Sequence, residues 1–446
     1  MQSHALPWTD PRVTARTGGA RIDDARTRGD RLRNQAVAAL LLLGVGYNFA
    51  LAAFNANIFS IGPSAAYAVE LVVYAGCFLF GLRTLGREGI LLVLTGLGLV
   101  LAFNLIRFLD TWRFDLKLAR DAIIPFAFLA LGTAYRGSLR KLVLWLAIIV
   151  SLVAVFEMAL PNLYGDLVNP RSYFVNTRGN VEEDFWNDSK LYVSATRPGE
   201  RNWLAGFELP RVSSIFVEPV TMGNFIIFFC AVVVTFWRSL RLGGMLFSLM
   251  LILFLLIASD GRLASATCLL MLLLAPLLRR IDQWLAASIF IGVLLVGGFA
   301  VWALGVDAYQ DTLLGRVFVS VDAIVNLSPR EWFGLDLAAP YRYSDSGIAY
   351  FIAAQSIVIV FAFLLGYSFL LRMPTSNGQL FKNLFMLAFA LSLLVSNSYF
   401  SIKTAGLWWF ACGYLWRLQA ISATPIASDS QVPPMPGRTH AIAAAT

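Results

Sequence analysis

Apolar residues in this chain gather in long runs separated by polar breaks, most of them short and two of them long. A run of about 20 mostly apolar residues is long enough to cross a bilayer as a helix. The pattern predicts such helices at 35–54, 64–83, 89–108, 119–135, 141–160, 214–236, 242–258, 262–278, 284–305, 347–371, 383–399 and 403–417. The last, GLWWFACGYLW, is short and aromatic, and Ser259-Asp260-Gly261 separates the seventh from the eighth. The expected fold class is all-α: a polytopic integral membrane domain over 35–417 with about twelve spans, between a basic tail (1–34) and a low-complexity tail (418–446), both expected to be disordered. The first run begins only after residue 34 and is long enough to span, so a retained helix is expected rather than a cleaved signal peptide. The long polar breaks, about 161–213 and 306–346, exceed the length at which loops in compact proteins are usually functional.

Composition strengthens the membrane reading. The 446 residues are 58% hydrophobic and 14% charged, with mean hydropathy +0.69, far from an ordinary soluble domain. The net charge of +8 is unevenly placed. The short connections YRGSLRK, WRSLR, LLRRIDQ and RMPTSNGQLFK are basic, as is the N-terminal tail with Arg12, Arg16, Arg21, Arg26, Arg28, Arg31 and Arg33. Such segments face the cytoplasm, which puts both termini there and the two long loops on the other side, as expected for a multi-pass protein of the bacterial inner membrane. The tail is then a positive-inside segment in contact with anionic lipid, not a nucleic-acid binder. Cys77, Cys230, Cys268 and Cys412 all fall within separate runs, without metal-ligand or disulfide spacing. His4 and His440 lie in the tails, so no imidazole serves the membrane body. No internal repeat is evident.

Candidate chemistry crowds toward the non-cytoplasmic edge. The runs are mostly clear of charge, Glu70 being the main exception; a secondary transporter would instead concentrate polar groups near mid-membrane. In RVSSIFVEPVTMGNF (211–225), Arg211 and Glu218 stand seven residues apart and would share a face if the helix reaches that far back. Glu218 is then a partner for Arg211 or a polar lining of a cavity. Three further groups lie at the same edge: Ser259-Asp260-Gly261-Arg262; Arg342, Tyr343, Asp345 and Ser346; and Asn397, Tyr399 and Lys403. A fifth, Arg107, Arg113, Lys117, Arg120 and Asp121, lies between the third and fourth spans. Guanidinium suits diphosphate because it stays charged and offers a planar fork, though any one arginine could equally pair with a carboxylate or reach to the interface. Positive-inside placement does not account for Arg262. Asp345 is legible as a helix N-cap or as a general base. Trp186, Trp203, Tyr192, Tyr341 and Tyr343 could stack on sugars or form an interfacial belt.

Taken together, RVSSIFVEPVTMGNF, SDGR and PREWFGLDLAAPYRYSDSGIAYFIAAQSIVIVFAFLLGY, set among many spans with a large exoplasmic loop, resemble the Wzy-type polysaccharide polymerases and the related O-antigen ligases, the xanthan type most closely. The resemblance extends over roughly 35–417. It implies a fold similar to the C-class membrane glycosyltransferases and the joining, at the periplasmic face, of oligosaccharide repeats carried on undecaprenyl diphosphate, without a nucleotide sugar, cofactor or obligatory metal. Implied partners are these lipid-linked oligosaccharides, membrane lipid, and the chain-length regulator and flippase of the same pathway, with no nucleic acid. By position, the family's functional arginines correspond to Arg211 and Arg262, which would hold the donor diphosphate. Asp345, or failing that Glu218, would take the acceptor's proton, and Arg342, Tyr343, Lys403, Asn397 and Arg120 are candidate substrate contacts. The ligase branch carries a histidine where this chain has Asp345, which favours a polymerase. An O-antigen ligase, a lipid-linked oligosaccharide flippase or exporter, and a non-catalytic assembly partner remain as alternatives.

Overall fold

Each of the twelve apolar runs folds wholly or largely as helix in the computed structural model, which describes residues 11–179, 181–196, 203, 210–310 and 312–422. Among the described residues there is no strand. The first five long helices are α1 (Pro11–Asn57), α2 (Pro63–Gly81), α3 (Arg87–Thr111), α4 (Leu116–Ala134) and α5 (Leu139–Ala159). The first long loop contains α6 (Pro161–Val168) and α7 (Pro170–Arg178). Then come α8 (Pro219–Phe236), α9 (Leu242–Ser259), α10 (Arg262–Leu278) and α11 (Ala286–Ala303). The second long loop folds into α12 (Leu313–Val325), α13 (Pro329–Trp332) and α14 (Ala339–Arg342), and α15 (Gly347–Phe369), α16 (Ser376–Leu393) and α17 (Ile402–Ser422) complete the bundle.

The protein is an all-α polytopic membrane protein. Among the described residues eight helices are long and apolar enough to cross a bilayer: α2, α3, α5, α9, α15 and segments that include most or all of α1, α8 and α11. α4, α10, α16 and α17 occupy the other four expected positions. Lipid-facing and central helices are distinguishable by burial, since the α8 span is 83% buried and the α11 span 17%. α8 packs against α5, α9, α10, α16 and α17, and its Phe228 joins Phe381, Phe385 and Trp408 in the aromatic core. α4 and α17 approach most closely. A Cβ on Gly132 would lie 2.0 Å from the Phe410 carbonyl oxygen, and one on Gly413 2.0 Å from that of Leu129.

Three departures from the sequence pattern have local causes. α1 extends back to Pro11, so residues 11–34, expected to be a disordered tail, are helical; after Pro11 the segment holds no proline to break them. α16 begins at Ser376 because Thr375 caps it, accepting from Gly378 N. Lys382 therefore lies inside a helix, fully buried, with Nζ donating to the carbonyls of Ser368 (3.0 Å) and Leu371 (2.8 Å) at the end of α15. Third, α15 is broken at Ser356 (φ 68°, ψ 151°). The carbonyls of Ala353 and Ala354, left without helical partners, accept from Arg107 NH2 at 3.3 and 2.5 Å, while its Nε donates to Gly334 O at 2.7 Å. Arg107 is thus a clamp on a broken helix rather than part of a ligand site.

Candidate functional site

At one end of the bundle a cavity of about 1600 Å³ opens among α1, α2, α4, α8, α10, α12, α17 and the two long loops. Among the described residues seven cations line it, Lys117, Arg120, Arg178, Arg211, Arg262, Arg316 and Lys403, with five carboxylates, Glu70, Asp121, Glu218, Asp260 and Asp345. They come from helices and loop segments that meet at this end of the bundle.

The segment 211–218 does not continue α8 backward, so Arg211 and Glu218 do not share a helical face. Instead it folds as a tight passage around a single 3₁₀ turn (Ser214–Phe216), with Ser214 and Val217 at positive φ (52° and 64°), ending at Glu218 immediately before Pro219. Glu157 of α5, wholly buried, holds this passage: its carboxyl accepts from Ser213 N (3.1 and 3.0 Å), Ser213 Oγ (2.9 Å) and Ser214 N (2.6 Å). Tyr164 of α6 donates its hydroxyl to Ser214 O at 2.7 Å. With the strained turn fixed, its two ends reach the cavity. Arg211 donates Nε to Ser259 O at 3.0 Å, which sets the guanidinium plane beside the α9–α10 turn bearing Asp260 and Arg262.

Glu218 is engaged by Lys403 Nζ (3.5 Å), Arg178 NH2 (3.7 Å) and the Thr221 hydroxyl (2.9 Å), all on Oε2. Burial alone would raise its pKa, but Arg178 and then Lys403 outweigh that and hold the carboxyl below its ordinary value. A carboxylate kept ionised in this way anchors cations and is a weak base. Lys403, almost fully buried, also donates to Phe216 O at 3.3 Å.

On another wall, Arg120 bridges Glu70 (2.7 Å) and Asp121 (2.7 Å). Tyr47 donates to the other Glu70 oxygen and Tyr350 to Asp121 Oδ2 at 2.8 Å. Glu70 and Arg120 thus neutralise one another within a closed network. Lys117 lies over the rings of Tyr341 (4.7 Å) and Tyr350 (5.3 Å).

Asp345 is exposed, with 63% of its side chain accessible, and pairs with Arg316 NH1 at 3.5 Å. It is not the cap of α15: the neighbouring Ser346 hydroxyl accepts from Ala349 N at 3.3 Å. Asn397 N donates to Ser344 O at 3.2 Å, which places the α16–α17 turn beside Asp345.

The cavity therefore brings together Arg211, Arg262, Glu218, Asp345, Lys403, Asn397 and Arg120. Arg342 and Tyr343 are not among its lining residues. The chain turns between 343 and 346, and both side chains donate to Glu331 Oε1, Arg342 at 2.6 Å and Tyr343 at 3.0 Å, with Arg342 also reaching Asp336. Glu331 is fixed by a capping box with Ser328, so the three tie the second long loop to itself. Of the aromatic candidates, Tyr192 and Tyr341 line the cavity and Trp186 and Trp203 do not. The sequence pattern did not single out Arg178 or Arg316. Arg316 is detectable in retrospect, because LLGRVFVSVDAIV has the spacing of an amphipathic helix; Arg178, at the end of a short helix, carries no such signal.

No protein-family model matches the chain, and neither the curated proteins nor the solved structures give a match.

Proposed function

We propose that the protein is a membrane glycosyltransferase of polymerase type, joining oligosaccharide repeat units carried on a polyprenyl diphosphate at the periplasmic face of the bacterial inner membrane. The observation that supports this most is the cavity itself. It is far larger than one sugar needs, stands at one end of a membrane bundle, and gathers arginines from α4, α7, the 211–218 passage, α10 and α12 around an exposed carboxylate.

In this reading Arg211 and Arg262 hold the donor diphosphate and stabilise the charge it gains on leaving. A hydroxyl of the acceptor glycan attacks the anomeric carbon. The bond from that carbon to the phosphate oxygen breaks, the electron pair leaves with the polyprenyl diphosphate, and Asp345 takes the hydroxyl proton and returns it to solvent. Glu218, tied to Arg178 and Lys403, positions cations rather than accepting protons. An O-antigen ligase would use the same donor chemistry with a different acceptor. A flippase fits less well, because the deeply buried charges Arg107 and Lys382 each clamp helix carbonyls and form no path.

Analysis of lipid-linked glycans from a deletion strain tests the reading. Single unpolymerised repeats should accumulate. Polymer of normal length would overturn the proposal, and normal polymer left unattached to its final acceptor would replace it with the ligase.

A further inference from the structure

A second, apolar slot joins the polar cavity, and the two share Asp121, Tyr350 and Phe400. The slot lies between α3, α4 and α15, with α16 and α17 behind, and has a volume of about 190 Å³. Drug-sized pockets hold about 300–1,000 Å³, so this space suits a single extended chain rather than a compact ligand. Along α15 its lining runs from Tyr350, across the break at Ser356, to Tyr367, a rise of roughly 25 Å at 1.5 Å per residue, which is most of the hydrocarbon thickness of a bilayer. Beyond its mouth the lining is mostly aliphatic and aromatic, Phe126, Phe363 and Trp409 among it, with Thr95 and Gln355 as polar members. One wall is the exposed face of α3 at Leu99, where the slot opens sideways. At the mouth stands Lys117, against the rings of Tyr341 and Tyr350 and, among the described residues, with no carboxylate in salt-bridge contact.

A cation at the end of a long apolar channel is complementary to an amphiphile with an anionic head and a long hydrocarbon tail. We propose that Lys117 and the α3–α15 slot form a second lipid-diphosphate site, distinct from Arg211 and Arg262, with the polyprenyl tail in the slot and the diphosphate at Lys117. The inference rests on reading the cavity as a site for lipid-linked glycans. It adds to that reading a place for the second lipid, because in the joining of two lipid-linked chains the acceptor's diphosphate lies a whole repeat unit away from its reacting hydroxyl and needs its own anchor.

Gly366 gives the test a clean handle. It lines the slot, and a Cβ there would meet only Leu370 Cδ1, at 3.9 Å. Gly366→Leu fills the slot without a backbone clash and replaces a poor helix former with a good one; Ala362→Leu fills it one turn away. The purified full-length protein in detergent is titrated with inorganic pyrophosphate, geranylgeranyl diphosphate and geranylgeraniol, and its retained lipids are read by native mass spectrometry. Wild type should hold geranylgeranyl diphosphate at least about tenfold more tightly than pyrophosphate, a difference of about 1.4 kcal/mol. Both slot variants should lose that advantage while keeping pyrophosphate affinity and thermal stability, and Lys117→Gln should weaken geranylgeranyl diphosphate more than geranylgeraniol. An unchanged preference for the prenylated ligand in both slot variants overturns the proposal. So does a bilayer phospholipid retained by wild type and lost from the variants, with no prenyl dependence, which would make the slot an ordinary acyl-chain groove. Failure of pyrophosphate to bind at all counts against the diphosphate reading of the cavity, and geranylgeraniol then still reports on the slot.

Discussion

At the scale of single residues, the cavity separates two carboxylates that look alike in sequence. Asp345 is open to the cavity and pairs with Arg316, and Ser346 performs the capping that Asp345 was equally placed to do. Asp345→Asn should therefore leave thermal stability unchanged and reduce the polymerisation rate by roughly 10²-fold or more; a rate near wild type removes Asp345 as the base. Glu218 has the opposite environment. Its folded pKa is depressed, so its contribution to stability is fully present above its unfolded pKa of about 4.3 and is lost as pH falls through the lower folded value. Glu218→Gln should cost on the order of 3 kcal/mol at neutral pH, discounted because the Arg178 partner is 43% exposed. It should also flatten the loss of stability below about pH 4. Melting curves from pH 7 to pH 3 check this, and parallel curves for variant and wild type would contradict it. Arg211 uses Nε on Ser259 O, and a lysine cannot hold that carbonyl and grip a diphosphate in two places. Arg211→Lys should thus impair pyrophosphate binding nearly as much as Arg211→Ala, and Arg262→Lys likewise; full affinity in the lysine variants would leave these residues as simple charges.

At the scale of elements, the passage 211–218 depends on a group that lies outside it. Glu157 accepts from two buried backbone amides and a hydroxyl while Ser214 and Val217 hold positive φ. Glu157→Ala would orphan amides at about 1–3 kcal/mol each. Glu157→Gln should do almost as badly, because its amide nitrogen would face donors with another donor. Both variants should melt earlier and bind pyrophosphate more weakly, since Arg211 and Glu218 sit at the two ends of the passage. Normal stability with Gln at this position would show that one oxygen suffices. None of this was legible in the sequence, where Glu157 is a single charge in an apolar run. The spans themselves were legible because a bilayer demands only length and hydropathy. The break at Ser356 was not, since no Pro or Gly stands there, and it depends on Arg107, hundreds of positions away in sequence, to satisfy the freed carbonyls. Arg211, Arg262, Asp345 and Lys403, which line the cavity, stood out in the sequence because an edge charge beside a span is conspicuous. Arg342 and Tyr343 were misplaced for the same reason: nearness to Asp345 in sequence does not survive the turn at 343–346.

At the scale of the whole molecule, the basic interhelical connections and the cavity lie at opposite ends of the helices. The connections far from the cavity carry Arg136, Arg140 and Lys141, Arg238 and Arg241, and Arg279 and Arg280, with Asp282 the lone acid among them. The cavity end instead mixes cations with carboxylates. Because short basic connections remain in the cytoplasm, the cavity should open on the other side. The four native cysteines are all buried, so a membrane-impermeant maleimide should leave them unlabelled and each introduced thiol can be read alone. Asp188→Cys, on the exposed rim of the first long loop, and Arg241→Cys, in the basic turn between α8 and α9, probe the two faces. In intact spheroplasts the maleimide should label the thiol at 188 and spare that at 241 until the membrane is broken, when both react. The reverse pattern would place the cavity in the cytoplasm, where lipid-linked repeats awaiting export would be the accessible substrate, and would overturn the periplasmic polymerase while leaving the geometry of the site intact.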